Sequence, residues 1–147
     1  MRARCTAPVD YELVDHTADL GVVLRGRDLA DLLARAAAVL ADLQYDPAGV
    51  AETLHREVCL EEPDHDVLLV RWLNELIVLR EVEGFLWKGV EVEVDERGVL
   101  HATLTGERFE GTRHEPRTGL KAATYHQLRV GPAGDGVGLA ARIIFDV

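Results

Sequence analysis

Aromatic residues are scarce. Three Phe, three Tyr and two Trp make up 5% of the 147 residues, so Leu, Val and Ala must fill most of any core. The chain is 48% apolar, which suffices for one ordinary domain. Cysteine is rarer still. Cys5 and Cys59 make neither a disulfide framework nor a zinc site, and reduced thiols in a cytoplasmic protein are the economical reading. Basic charge is short as well. Sixteen Lys and Arg against 26 Asp and Glu leave a net charge of −10. That balance argues against strong direct binding of RNA or DNA, which draws on surplus cations, and against an anionic membrane surface.

Long hydrophobic runs are missing. The most apolar stretch, 67–79, is interrupted by Arg71, Asn74 and Glu75 and is too short to span a bilayer. Residues 1–10 lack the apolar segment of a signal peptide, so a cytoplasmic location is expected. There is no internal repeat, no glycine-rich phosphate loop, no HExxH and no nucleophile elbow. The six histidines are scattered, with no helical pair.

What is present reads as alternating short elements. Residues 11–15 and 20–25 read as strands, with Leu20, Val22 and Leu24 on one face. Residues 28–43 form a helix by the spacing of Leu29, Leu32, Leu33, Ala36, Ala37, Leu40 and Leu43, with Asp28 as N-cap. A strand over 53–60 follows, then a helix from Asp64 or Asp66 to Glu81, with Gly84 as its stop. Val90, Val92 and Val94 alternate with acids in a half-exposed strand. Strands over 99–105, 121–130 and 137–147 complete the chain, the last two joined by a glycine-rich hairpin loop. The order predicts a single α+β domain over 10–147, mostly antiparallel strands with two helices packed on one face, behind a flexible tail over 1–9.

Three polar segments could carry chemistry. The first runs Asp15, His16, Thr17, Ala18, Asp19. Its acids could ligate a hard cation or do acid–base work, or could simply close an Asx turn. The second holds His114, Glu115 and Pro116, then Lys121, Thr124, Tyr125 and His126. A strand histidine there is as well explained by a structural hydrogen bond as by ligation. The third is Asp146 and Val147 after the apolar Ile143, Ile144 and Phe145. Oxygens from these two residues, joined by an acid from another segment, would suit Ca²⁺ or Mg²⁺. Otherwise Asp146 is the solvated tip of a strand. A small metal-dependent hydrolase using Asp19, Asp146 and His126 is one reading of the set.

At these same three segments the chain resembles the archease family. Tyr11 to Gly21, with His16-Thr17-Ala18-Asp19, resembles the family's opening strand and signature. Lys121-Ala122-Ala123-Thr124-Tyr125-His126 resembles its second signature, and Arg142 to Val147 its closing strand. The resemblance covers 10–147, and Ala123 stands where the family often has Ile or Val. It implies an accessory protein, not an enzyme. Its partner would be the GTP-dependent RNA ligase of tRNA splicing and RNA repair, which joins 3′-phosphate ends to 5′-hydroxyls. Archease would promote guanylylation of the ligase histidine, allow multiple turnover and broaden nucleotide choice. The resemblance also implies a divalent metal, calcium foremost and Mg²⁺ or Mn²⁺ as alternatives, held by Asp19, Asp146 and Val147. Asp15, His16, Lys121 and His126 match signature positions with roles around the metal or the partner.

Overall fold

The computed structural model describes residues 1–14 and 19–147. Its elements are β1 (Arg2–Thr6), β2 (Glu12–Val14), β3 (Leu20–Gly26), α1 (Leu29–Gln44), β4 (Leu54–Glu61), α2 (His65–Glu83), β5 (Phe85–Val94), β6 (Val99–Arg108), β7 (Ala122–Pro132) and β8 (Leu139–Asp146). The strands make two antiparallel four-stranded sheets, ordered β1-β5-β6-β4 and β2-β3-β8-β7. The α+β class with two helices is as the sequence reads.

Helix α1 starts where Asp28 accepts a hydrogen bond from the Asp31 N–H (2.9 Å) while the Asp31 carboxylate accepts from the Arg27 N–H (2.8 Å). The first bond satisfies an N–H of the opening turn, and the second reaches back to the residue before the cap. Burial pushes the Asp31 carboxyl up. The Arg27 hydrogen bonds and the Arg27 and Arg35 guanidinium groups outweigh it, holding the group below the usual carboxylate range. In α1 every residue except Arg35 and Asp42 is buried. The apolar stripe predicts one covered face, but α1 packs against β1 and β5 of one sheet and against β3 and β8 of the other. Its many alanines let both sheets approach closely. Two indoles anchor it: Trp72 Nε1 donates to Leu33 O and Trp87 Nε1 to Ala37 O, both at 2.8 Å. Tyr45, just past the helix, donates its hydroxyl to Trp87 O (2.6 Å) and accepts from the Trp87 N–H (2.8 Å). That hydroxyl supplies the backbone partner at an irregularity in the β5–β6 register between Trp87 and Gly89. Across the irregularity, a Cβ at Gly106 would run into the Leu86 carbonyl oxygen, so only glycine fits.

Helix α2 is capped by Asp64, which accepts from the N–H groups of Asp66 and Val67, and it stops at Gly84 in the left-handed region (φ 66°). It covers the outer edge of β7. Asn74 accepts from the Ala123 N–H (2.7 Å) and donates to Ala123 O (3.2 Å), imitating a neighbouring strand. Asp66 accepts from the Val130 N–H (3.1 Å).

One expectation is corrected at the start of the chain. Residues 2–6, read as part of a flexible tail over 1–9, form β1, an edge strand in register with β5 from Arg2↔Glu93 to Thr6↔Gly89. The physical reason is a period-two pattern of small residues. Ala3 and Ala7 are buried and Cys5 packs on the core, while Arg2 and Arg4 pair outward with Glu93 and Glu91 (both 3.1 Å). Cys5 donates its thiol to Ala34 O (3.1 Å), and burial pushes that thiol up to about 11. Among the described residues no helix is long and apolar enough to cross a membrane.

Candidate functional site

Alternation along β3 and β8 decides which way the candidate acids point. Leu20, Val22 and Leu24 lie opposite Phe145, Ile143 and Ala141 and turn inward against α1. Asp19 is one step beyond Leu20 and Asp146 one step beyond Phe145. Asp146 is the last residue of β8 and Asp19 the residue just before β3, so the two acids adjoin the pair that ends the ladder, Leu20 and Phe145. On its other side Asp146 stands opposite Ala122 of β7. Its main-chain oxygen accepts from the Lys121 N–H (2.9 Å), which ties the second and third polar segments together through backbone. Asp146 is exposed, and its carboxylate makes no hydrogen bond or ion pair within the described residues. Asp19 is half-buried.

Loop 115–121, which delivers Lys121, is held by the open end of α1. Leu43 O and Gln44 O accept from the N–H groups of Thr118 (3.0 Å) and Arg117 (2.8 Å). Arg117 also donates to the Asp42 carboxylate (2.8 Å), which in turn accepts from the Tyr11 hydroxyl (2.6 Å). Burial and then the Asp42 carboxylate push that hydroxyl up to about 12.

Other sequence candidates separate. The Lys121 side chain lies by a cavity of about 370 Å³ with Gln44, Ile77, Arg80, Glu81 and Leu120, on the helix side of the sheet. His126 is exposed and sits in an irregular stretch of β7 where the register with β8 slips between Thr124 and Arg129. Its neighbour Gln127 is left-handed (φ 52°), and Tyr125 is 58% exposed beside it. Val147 is exposed next to Asp146. Asp15 and His16 lie outside the described residues. Within the described residues no group of three or more His, Cys, Asp or Glu gathers as a metal centre.

The chemistry of the donors at the tip can still be judged. Asp19 and Asp146 offer carboxylate oxygens, Val147 a main-chain oxygen, and no thiol is near. Oxygen donors of this kind fit a hard divalent cation such as Ca²⁺. Like charges repel, and a cation held by both acids would reverse the sign of that interaction.

His114, singled out in the sequence, has a structural role. Its Nδ1 accepts from the Glu110 N–H (2.8 Å), so the proton is on Nε2, which donates to Glu107 Oε2 (2.9 Å). Glu107 also accepts from the Ala51 N–H (2.7 Å) and from both terminal nitrogens of Arg113. The Arg113 hydrogen bonds, joined by those of Ala51 and His114, outweigh burial and hold the Glu107 carboxyl down at about 2. Glu107 and Arg113 carried no sequence signal, because their partners lie on a strand end, a turn and the loop before β4.

Comparison with known proteins covers nearly the whole chain. Residues 11–147 match the model of the Archease protein family. A relative named "Protein archease" from Methanosarcina acetivorans is 36% identical over 141 residues, covering 93% of this chain and 95% of its own. Another of that name, from Archaeoglobus fulgidus, is 37% identical over 143 residues, covering 93% and 98%. Among solved structures, the solution structure of Methanobacterium thermoautotrophicum protein 1598 superposes with a TM-score of 0.77 at 31% identity, covering 93% of this chain and 98% of that one.

Proposed function

The chain belongs to the archease family, and from that premise we propose that it is an accessory protein of a GTP-dependent RNA ligase, acting through the tip that carries Asp19 and Asp146. On this reading it promotes guanylylation of the ligase histidine, supports multiple turnover and broadens nucleotide choice, in tRNA splicing or RNA repair.

What supports the reading is that Asp19 and Asp146 each adjoin the Leu20↔Phe145 pair that ends the β3–β8 ladder. Two acids held on a rigid ladder end, with Val147 beside them, would hold a divalent cation, calcium foremost. A bound cation supplies positive charge that a triphosphate and its leaving group can lean on. The chain's own part is positioning. The Lys121 N–H fixes the Asp146 backbone. Phosphoryl-type transfers are governed by such positioning and charge, so a protein without a nucleophile of its own can accelerate one. The net charge of −10 supports the same reading, since a ligase cleft that grips RNA is basic and an acidic partner is steered to it.

The test is ligase guanylylation and turnover measured with and without this chain, and with Asp19→Asn and Asp146→Asn. Stimulation by the parent chain and its loss in both variants is the expected result. Full stimulation by both variants would remove the tip from the mechanism. Phosphatase or nuclease turnover by the isolated chain would point to a hydrolase instead.

A further inference from the structure

The same face of the β2-β3-β8-β7 sheet that carries Asp146 also carries Arg142, four residues back along β8. At about 3.3 Å per residue the two are separated by about 13 Å. Arg142 is in register with Arg129 of β7, so two arginines are direct cross-strand partners on one face of the ladder. Like charges in that arrangement are destabilising.

The pairing is conspicuous against the rest of the molecule. Of the 14 arginines, ten lie within ion-pair distance of a carboxylate: 2, 4, 25, 27, 35, 56, 71, 97, 113 and 117. Carboxylates outnumber cations by ten in this chain, yet neither Arg129 nor Arg142 meets one within the described residues. Along their own cross-strand row, Val23 lies beside Arg142 and Glu12 lies a further strand away. Asp135, on the neighbouring hairpin, is engaged by Arg25 at 3.3 Å. The two arginines open onto a shallow cavity of about 160 Å³ whose other walls are Val23, Gly131, Pro132, Ala140 and Ala141. Those walls are short or apolar, so among the described residues lining the cavity none competes for the guanidinium donors.

We propose that Arg129 and Arg142 form a binding site for a single phosphate group on the outer face of the sheet. A guanidinium pair presents donors in a planar fork that suits a tetrahedral oxyanion, and one bound phosphate turns the repulsion across the ladder into two attractions. The surplus of acids elsewhere selects a small or terminal phosphate over a long run of nucleic-acid backbone, which the remaining surface would repel. The proposal stands apart from the ligase reading, because it uses neither Asp19 nor Asp146.

The test is thermal unfolding of the full chain at fixed pH and ionic strength, with EDTA present so that the acids at the tip hold no cation. Chloride, acetate, inorganic phosphate and GTP are compared. Phosphate or GTP raises Tm saturably, by about 2–4 °C at about five times Kd. The rise disappears in Arg129→Gln and in Arg142→Gln. In chloride both variants melt no lower than the parent, because a repulsion has been removed. A response to inorganic phosphate identifies a free phosphate group as sufficient, and a response to GTP alone assigns a nucleotide as the source. The proposal is overturned if neither anion acts saturably, if acetate acts as strongly, or if the variants respond like the parent. Nitrogen-detected spectra of the parent's arginine side chains give an independent reading should a variant fail to fold. Shifts at Arg129 and Arg142 are required there, and their absence overturns the site equally.

Discussion

Leu20 and Phe145 face each other across β3 and β8, and Asp19 and Asp146 each adjoin this last apolar pair of the ladder. The geometry of the acidic tip is therefore inherited from core packing. Phe145 is 1% exposed, so the platform beneath the acids is rigid.

The first prediction concerns that pair of acids. Asp19→Asn and Asp146→Asn each weaken Ca²⁺ binding by at least about tenfold, the scale of one lost charge-assisted contact. Calcium titration calorimetry checks it. In the metal-free protein Asp146→Asn leaves Tm unchanged, because that carboxylate makes no hydrogen bond or ion pair within the described residues.

A second prediction follows from Glu107. Its carboxyl sits at about 2 against an ordinary 4.5, so the folded state holds the charged form more tightly than the unfolded chain does. Its stabilisation is complete above about pH 4.5 and is lost as pH falls toward 2. Glu107→Gln lowers Tm by about 4–8 °C at neutral pH. The same change flattens the acid side of the Tm-against-pH curve over that window. Melts recorded from pH 7 to pH 2 decide the matter.

Tyr45→Phe is the third. The change strips Trp87 of a donor to its carbonyl and an acceptor for its N–H, both buried. The cost is about 2–3 kcal/mol, the range for orphaned buried polar groups. Urea unfolding gives the number, and a loss under about 0.5 kcal/mol would mean that the register irregularity at Trp87 repairs itself.

The thiols supply a fourth. Cys5 is held against Ala34 O with its thiol at about 11, while Cys59 is exposed on β4 with its sulfur 3.2 Å from His101 Nδ1. One thiol reacts promptly with a disulfide reagent at pH 8, and the second at least about 100-fold more slowly, because so little of it is thiolate. Cys59→Ser removes the fast phase. Two equal phases would show that β1 does not stay on its sheet.

Binding to the ligase gives the fifth. Steering by a net charge of −10 is screened by salt, so association slows at least about tenfold between 0.05 and 0.5 M salt. Dissociation changes less. Stopped-flow mixing at several salt concentrations checks this, and a flat association rate would discard the steering argument.

Much of the architecture was legible because it is local. Asp28, Asp64 and Gly84 mark helix ends by short-range hydrogen bonding and backbone conformation, and the structure keeps all three in those roles. Strand β1 was missed because its inward residues are Ala3 and Cys5, too small to lift the hydropathy of a segment that also holds Arg2 and Arg4. The placement of α1 between two sheets was hidden for a related reason: alanine is scored as a weak hydrophobe, yet here it marks contact on every side. That Asp19 and Asp146 adjoin one cross-strand pair, Leu20 and Phe145, depends on a ladder between distant parts of the chain, and no spacing rule reaches that far. The cross-strand arginines at 129 and 142 depend likewise on the β7–β8 register, which slips between Thr124 and Arg129 and could not be counted from the hairpin loop.

Helix α1 serves as the common wall of both sheets. Take it away and each sheet loses its inner lining at the same instant, so neither half of the molecule has a way to melt and leave the other standing. Denaturation should thus run as one event, with every strand released together.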